Sequence, residues 1–109
     1  MKLKLVAAVA ALSLSSLAHA AGDPKAEALM KKSDCFSCHA VGNKVVGPSY
    51  KDVAKKYKGN AKAPAMLADK IIKGGAGNWN AVTGGVPMTP HPQISKADAT
   101  AMAKWVLAQ

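Results

Sequence analysis

Both cysteines of this 109-residue chain fall within one run of five, Cys35-Phe36-Ser37-Cys38-His39. Nothing else in the sequence restricts the fold so strongly. Two thiols three positions apart can add to the two vinyl groups of one haem while the adjacent imidazole reaches its iron. A chain built on such a run has to wrap a large, flat, mostly apolar ring. Other uses of the motif fit less well. A structural zinc site would need two more ligands, and past the first twenty residues only His39 and His91 remain as histidines. A thioredoxin-type redox pair would need a βαβ context, and a bare disulfide leaves His39 unexplained. The expected cofactor is therefore one haem c per chain, attached through Cys35 and Cys38, with His39 as an axial iron ligand.

The start of the chain has the pattern of a secretory leader. Lys2 and Lys4 supply positive charge, Leu5 to Leu17 an apolar run, and Ala18-His19-Ala20 small residues at a cleavage site. The run is shorter than the roughly 18 residues a membrane span needs, and no later segment is more apolar. Residues 1–20 are thus expected to be a cleaved signal peptide and residues 21–109 one mature domain in the periplasm. That domain is expected to be monomeric, without stable membrane insertion. Export to an oxidising compartment agrees with thiols held in covalent linkages.

Removing residues 1–20 from the 109 leaves 89, a size at which a side-chain core is marginal. The only aromatics are Phe36, Tyr50, Tyr57, Trp79 and Trp105, and much of the apolar content is alanine. Something besides side chains should fill the centre. Without Lys2 and Lys4 the 15 basic residues become 13 against 6 acidic ones, a formal +7, and every basic residue is lysine. Nucleic acid is not the expected partner, because contacts to bases and phosphates commonly use arginine. The charge suits docking to acidic protein surfaces, or simply solubility of the helix faces.

Helical signals dominate the remainder. Asp23-Pro24 is a good start, and that helix should stop near Ser33-Asp34. Tyr50 to Lys58 places Val53, Ala54 and Tyr57 inward and Lys51, Lys55 and Lys58 outward. After Pro64, Ala65 to Lys73 brings Leu67, Lys70 and Ile71 onto adjoining turns, and Gly74-Gly75 supplies the stop. Residues 75–92 carry too many glycines and prolines for a regular element and read as one long loop. Ser95-Lys96-Ala97-Asp98 begins a last helix with Ala99, Met102, Ala103 and Val106 at helical spacing. No useful stretch alternates with period two. The expected class is all-α, four or five short helices wrapped around the haem.

An iron held by His39 needs a second ligand if it is only to accept and release electrons. Met30, Met66 and Met102 sit at helical positions and read as core fillers. Met88 instead lies between Pro87 and Thr89-Pro90, on stiff backbone able to hold a weak thioether near a metal, and a sulfur ligand raises the reduction potential. His91 is the competing candidate. It would give a bis-imidazole iron of lower potential, or else be an ordinary loop residue.

Beside the haem motif stand Val46-Gly47-Pro48-Ser49-Tyr50-Lys51-Asp52-Val53, Ile72-Lys73-Gly74-Gly75 with Trp79, Val86-Pro87-Met88, and Ala103-Lys104-Trp105-Val106-Leu107. In that order these blocks resemble the short bacterial class I c-type cytochromes, the group named after cytochrome c-551. The resemblance implies the cytochrome c fold and a one-electron carrier rather than an enzyme. It implies a donor such as the cytochrome bc1 complex, and a nitrite reductase or terminal oxidase as acceptor. It implies that the Pro48 carbonyl accepts the ring N–H of His39 and that Trp79 donates its indole N–H to a haem propionate. Two departures stand out. Lys70 replaces an arginine that often holds a propionate, and His91 replaces an asparagine that often touches the ligand sulfur. The connection from Trp79 to Met88 is also longer than usual, and its extra residues, Asn80 to Gly85, are expected to bulge outward.

Overall fold

The computed structural model describes residues 21–109, and the expected leader, residues 1–20, lies outside the described residues. Five α-helices follow one another: α1 (Pro24–Lys32), α2 (Tyr50–Lys56), α3 (Ala63–Lys73), α4 (Asn80–Thr83) and α5 (Lys96–Leu107), with a 3-10 turn over Cys35–Ser37 between α1 and α2. Among the described residues there is no strand, only two isolated bridges, His39 with Lys44 and Gly75 with Met88. The all-α class and the helix count expected from the sequence agree with this.

α1, α2 and α5 each begin where a capping side chain satisfies a free N–H group. The Asp23 carboxylate accepts from Lys25 N at 2.9 Å, with Pro24 in the first turn. The Ser49 hydroxyl accepts from Asp52 N at 3.1 Å to start α2, and Ser95 does the same for Asp98 N at 3.1 Å to start α5. α3 starts at Ala63, two residues before the expected point, so Pro64 lies inside its first turn. Proline is tolerated there because its missing N–H would have had no helical partner. α2 stops at Lys56 rather than Lys58.

α5 organises the molecule, with α1, α2 and α3 all packed on it. The α3–α5 pairing is lined by small residues: Ala63, Ala68, Ala99 and Ala103 are all fully buried. Missing side-chain bulk lets the two helices approach closely. Met30, Met102 and Trp105 are the largest fully buried side chains, with Tyr50 and Val53 beside them. Met66 departs from expectation. It is 39% exposed on α3, because the face of that helix turned inward is the one bearing Ala63, Ala68, Leu67 and Ile71.

The long loop is also not wholly irregular. Val82 N and Thr83 N both donate to Trp79 O at 2.9 Å, and Gly84 N to Asn80 O at 2.9 Å, which closes α4 inside it. Four residues are too few to register as helical periodicity in a sequence. The expected outward bulge holds for Asn80 and Ala81, which are exposed, while Val82 and Thr83 are half-buried against the domain.

Candidate functional site

One cavity of about 620 Å³ opens between the two halves of the domain. Cys35, Cys38 and His39 stand on one wall with Gly47 and Pro48; Trp79, Met88 and His91 line the other part, and Leu67, Lys70 and Ile71 come from α3. The structure thus brings together every residue singled out from the sequence: Cys35, Cys38, His39, Pro48, Lys70, Trp79 and Met88. The volume lies within the range of cofactor pockets.

The cysteine wall is built by short-range closure of the chain. The 3-10 turn carries Cys35, and His39 N donates to Cys35 O at 3.0 Å. Gly47 N and Val46 N then converge on Cys38 O at 2.8 and 3.2 Å. This return brings Pro48 O to 2.8 Å from His39 Nδ1. A carbonyl can only accept, so Nδ1 is the donor in this contact and Nε2 is the ring nitrogen left to face a metal. The imidazole stacks on Tyr50, ring centroids 5.2 Å apart and planes 22° apart. Tyr50 in turn meets Phe36 and Trp105 edge-to-face, at 5.6 and 5.4 Å. Gly47 is required beneath the ring, since a Cβ there would stand 2.9 Å from His39 Nδ1 and 3.0 Å from Nε2. Burial pushes the pKa of the Cys35 thiol above its ordinary value, whereas Cys38 is exposed.

The methionine wall is pinned across long stretches of sequence. Gly75 N donates to Met88 O and Met88 N to Gly75 O, both at 2.9 Å. Gly74, at φ 65° and ψ −152°, turns the chain out of α3, and a Cβ there would strike Met88 O and come within 2.7 Å of Pro90 N. His91 N donates to Ile71 O and Ile72 O at 3.2 and 3.0 Å. The Lys70 ammonium lies over Gly75, at 3.5 Å from where a Cβ would be.

One residue of this wall carried no sequence signal. Lys56, at the end of α2, donates to Asn78 O at 2.9 Å and places its ammonium 4.4 Å from the centroid of the Trp79 ring. In sequence it is one more lysine in a basic helix.

The donor set suits an iron porphyrin. Two thiols and one imidazole line the cavity together with a thioether, and much of the lining is apolar. A protein-only metal cluster is not offered, because no three His, Cys, Asp or Glu side chains converge among the described residues. Nor is any described helix long and apolar enough to cross a membrane.

Known proteins give the same answer. The Cytochrome c family model matches residues 24–109. Cytochrome c-551 of Allochromatium vinosum is 47% identical over 79 residues, covering 72% of this chain and 80% of that protein. Cytochrome c-551 of Pseudomonas aeruginosa is 47% identical over 89 residues, covering 82% and 79%. The crystal structure of Nitrosomonas europaea cytochrome c552 superposes with a TM-score of 0.67 at 46% identity, covering 74% of this chain and 95% of the other. The chain therefore belongs to the cytochrome c family, as a small class I electron carrier with covalently bound haem c.

Proposed function

We propose that this cytochrome carries single electrons between respiratory partners in the periplasm, with His39 and Met88 as the axial iron ligands and Cys35 and Cys38 as the attachment points. One observation carries the reading: Cys35, Cys38, His39 and Met88, far apart in the sequence, all line a single cavity. When bound, haem c supplies reversible one-electron chemistry at iron. The chain's part is to hold and shield it. Pro48 fixes the tautomer and orientation of His39 through the 2.8 Å contact. The Gly75–Met88 bridge holds the methionine backbone, so the thioether need not move between oxidation states. Trp79 and Lys70 provide an indole N–H and an ammonium for the propionates, and Lys56 backs Trp79.

The ferric protein at neutral pH should show the weak far-red sulfur-to-iron band, and its absence sinks the Met88 assignment. The reduced protein mixed with carbon monoxide should keep its spectrum, because a closed six-coordinate iron has no free position; rapid carbonyl formation would point to a gas sensor or a small peroxidase instead.

Residues 1–20 serve in this reading as the export signal and residues 21–109 as the working domain. A nitrite reductase or terminal oxidase is the proposed acceptor and a cytochrome bc1-type complex the donor. The lysines steer the protein to acidic partner surfaces, so transfer rates to such a partner should fall as ionic strength rises. Rates indifferent to salt would remove the steering role.

A further inference from the structure

We propose that His91 is a reserve axial ligand, placed to take the iron when the Met88 sulfur is lost; this rests on the assignment of His39 and Met88 made above. Three observations converge on it. His91 is half-buried and lines the same cavity as His39 and Met88. Its backbone is tied to the end of α3 by the bonds to Ile71 O and Ile72 O, at 3.2 and 3.0 Å, so it stands at a fixed place and not on a free loop. Its ring Nδ1 lies 3.3 Å from Ile71 O.

The last contact sets the chemistry. A carbonyl oxygen accepts only, so Nδ1 is the donor in this contact and Nε2 is the ring nitrogen left to bind a metal. This is the arrangement found at His39, where Nδ1 faces Pro48 O at 2.8 Å. Iron-binding imidazoles characteristically give their second N–H to such an acceptor. Both described histidines therefore turn Nδ1 to a main-chain carbonyl, which leaves Nε2 as the nitrogen available to a metal.

The tethers of Met88 and His91 are separate. Met88 hangs from Gly75, whereas His91 hangs from Ile71 and Ile72, so losing the first leaves the second in place. A thioether is also the more vulnerable group. Hydrogen peroxide can pass one oxygen atom to its sulfur and leave as water, the thioether losing two electrons and the peroxide gaining two. With His91 in reserve, the iron would stay six-coordinate and closed to further peroxide, at a lower potential.

The test compares holoproteins made with the haem-ligation machinery: wild type, Met88→Ala and the double variant Met88→Ala/His91→Ala. Ferric absorption and electron paramagnetic resonance report spin state, and stopped-flow mixing with carbon monoxide reports access to the reduced iron. Met88→Ala is expected to remain low-spin without the far-red band and to bind carbon monoxide about tenfold more slowly, or slower still, than a high-spin double variant. A high-spin Met88→Ala protein that binds as fast as the double variant overturns the proposal. So does a double variant that is still low-spin, since another group, such as Lys70 on the same cavity, has then taken the iron.

Should Met88→Ala fail to fold, folded wild type and His91→Ala can each be oxidised with peroxide until the mass and a peptide map show sulfoxide at Met88. Only the wild type should then stay low-spin, and equal high-spin spectra overturn the proposal. Failure of the underlying reading looks different: an untreated wild type without the far-red band, whose spectrum changes in His91→Ala, makes His91 the resident ligand and overturns both.

Discussion

The two walls of the haem cavity are held by opposite means. On the cysteine side, the hydrogen bonds close short loops, Cys35 to His39, Cys38 to Gly47, His39 to Pro48 and Ala40 to Tyr50, while the aromatic contacts of Phe36 and Tyr50 with Trp105 reach across the chain. Gly47, Pro48, Ser49 and Tyr50 are all buried, and the aromatic cluster locks the imidazole from behind. On the methionine side, the contacts span long stretches: Gly75 to Met88, Ile71 to His91, Lys56 to Asn78. Most residues between them, including Gly75 to Asn78 and Gly84 to Pro87, are exposed. A segment with few buried contacts and solvent-facing hydrogen bonds opens at lower cost than a packed core. The cysteine wall is thus the rigid partner, and the methionine wall is where ligation is most easily lost.

That asymmetry can be broken most sharply at Gly74. Gly74→Ala puts a side chain into a backbone region almost restricted to glycine, at a cost on the order of 1–3 kcal/mol, with the added overlap on Met88 O and Pro90. Main-chain atoms cannot swing aside, so the far-red band should fade while haem attachment, read by intact mass, is unaffected. A full-strength band would mean the methionine wall tolerates displacement at its root.

The matching change on the rigid side is Gly47→Ala, which pushes on a ring rather than on backbone. Overpacking of this kind costs about 1–3 kcal/mol. Because Gly47, unlike Gly74, does not have a positive φ, and its added methyl would meet a side chain and not main chain, a smaller loss than at Gly74 is expected in denaturant unfolding, together with a shift in the proton resonances of the axial imidazole. If unfolding and resonances both match wild type, the close packing beneath His39 has no energetic weight. Lys56→Gln should have the mildest effect. Loss of the ammonium from the Trp79 face is expected to lower unfolding free energy by about 0.5–1 kcal/mol, with recovery in Lys56→Arg. No change in either variant would make Lys56 a bystander.

Much of the cysteine wall was legible in advance. The motif Cys35 to His39 names its own chemistry through spacing, and Asp23 and Ser95 announce helix starts that the structure reproduces. The methionine wall was legible only in its individual residues. Met88 stood out by its proline-rich surroundings, but its pairing with Gly75 could not be read from either position. α4 was hidden because one helical turn flanked by glycines has no period to detect. Met66 was grouped with the core methionines because helical spacing identifies a face without saying which neighbour will cover it.

The sequence alone determined the cofactor's attachment, the helical class and the places where α1, α2 and α5 begin. Those properties depend on residues a few positions apart, whose geometry is set by covalent links and local hydrogen bonds. Only the tertiary structure decided that Lys56 lies on Trp79 and that His91, like His39, turns Nδ1 to a main-chain carbonyl. Lys56 and Asn78 are 22 positions apart and His91 and Ile71 are 20 apart, so these contacts exist only once α2, α3 and the long loop have packed around a common cavity.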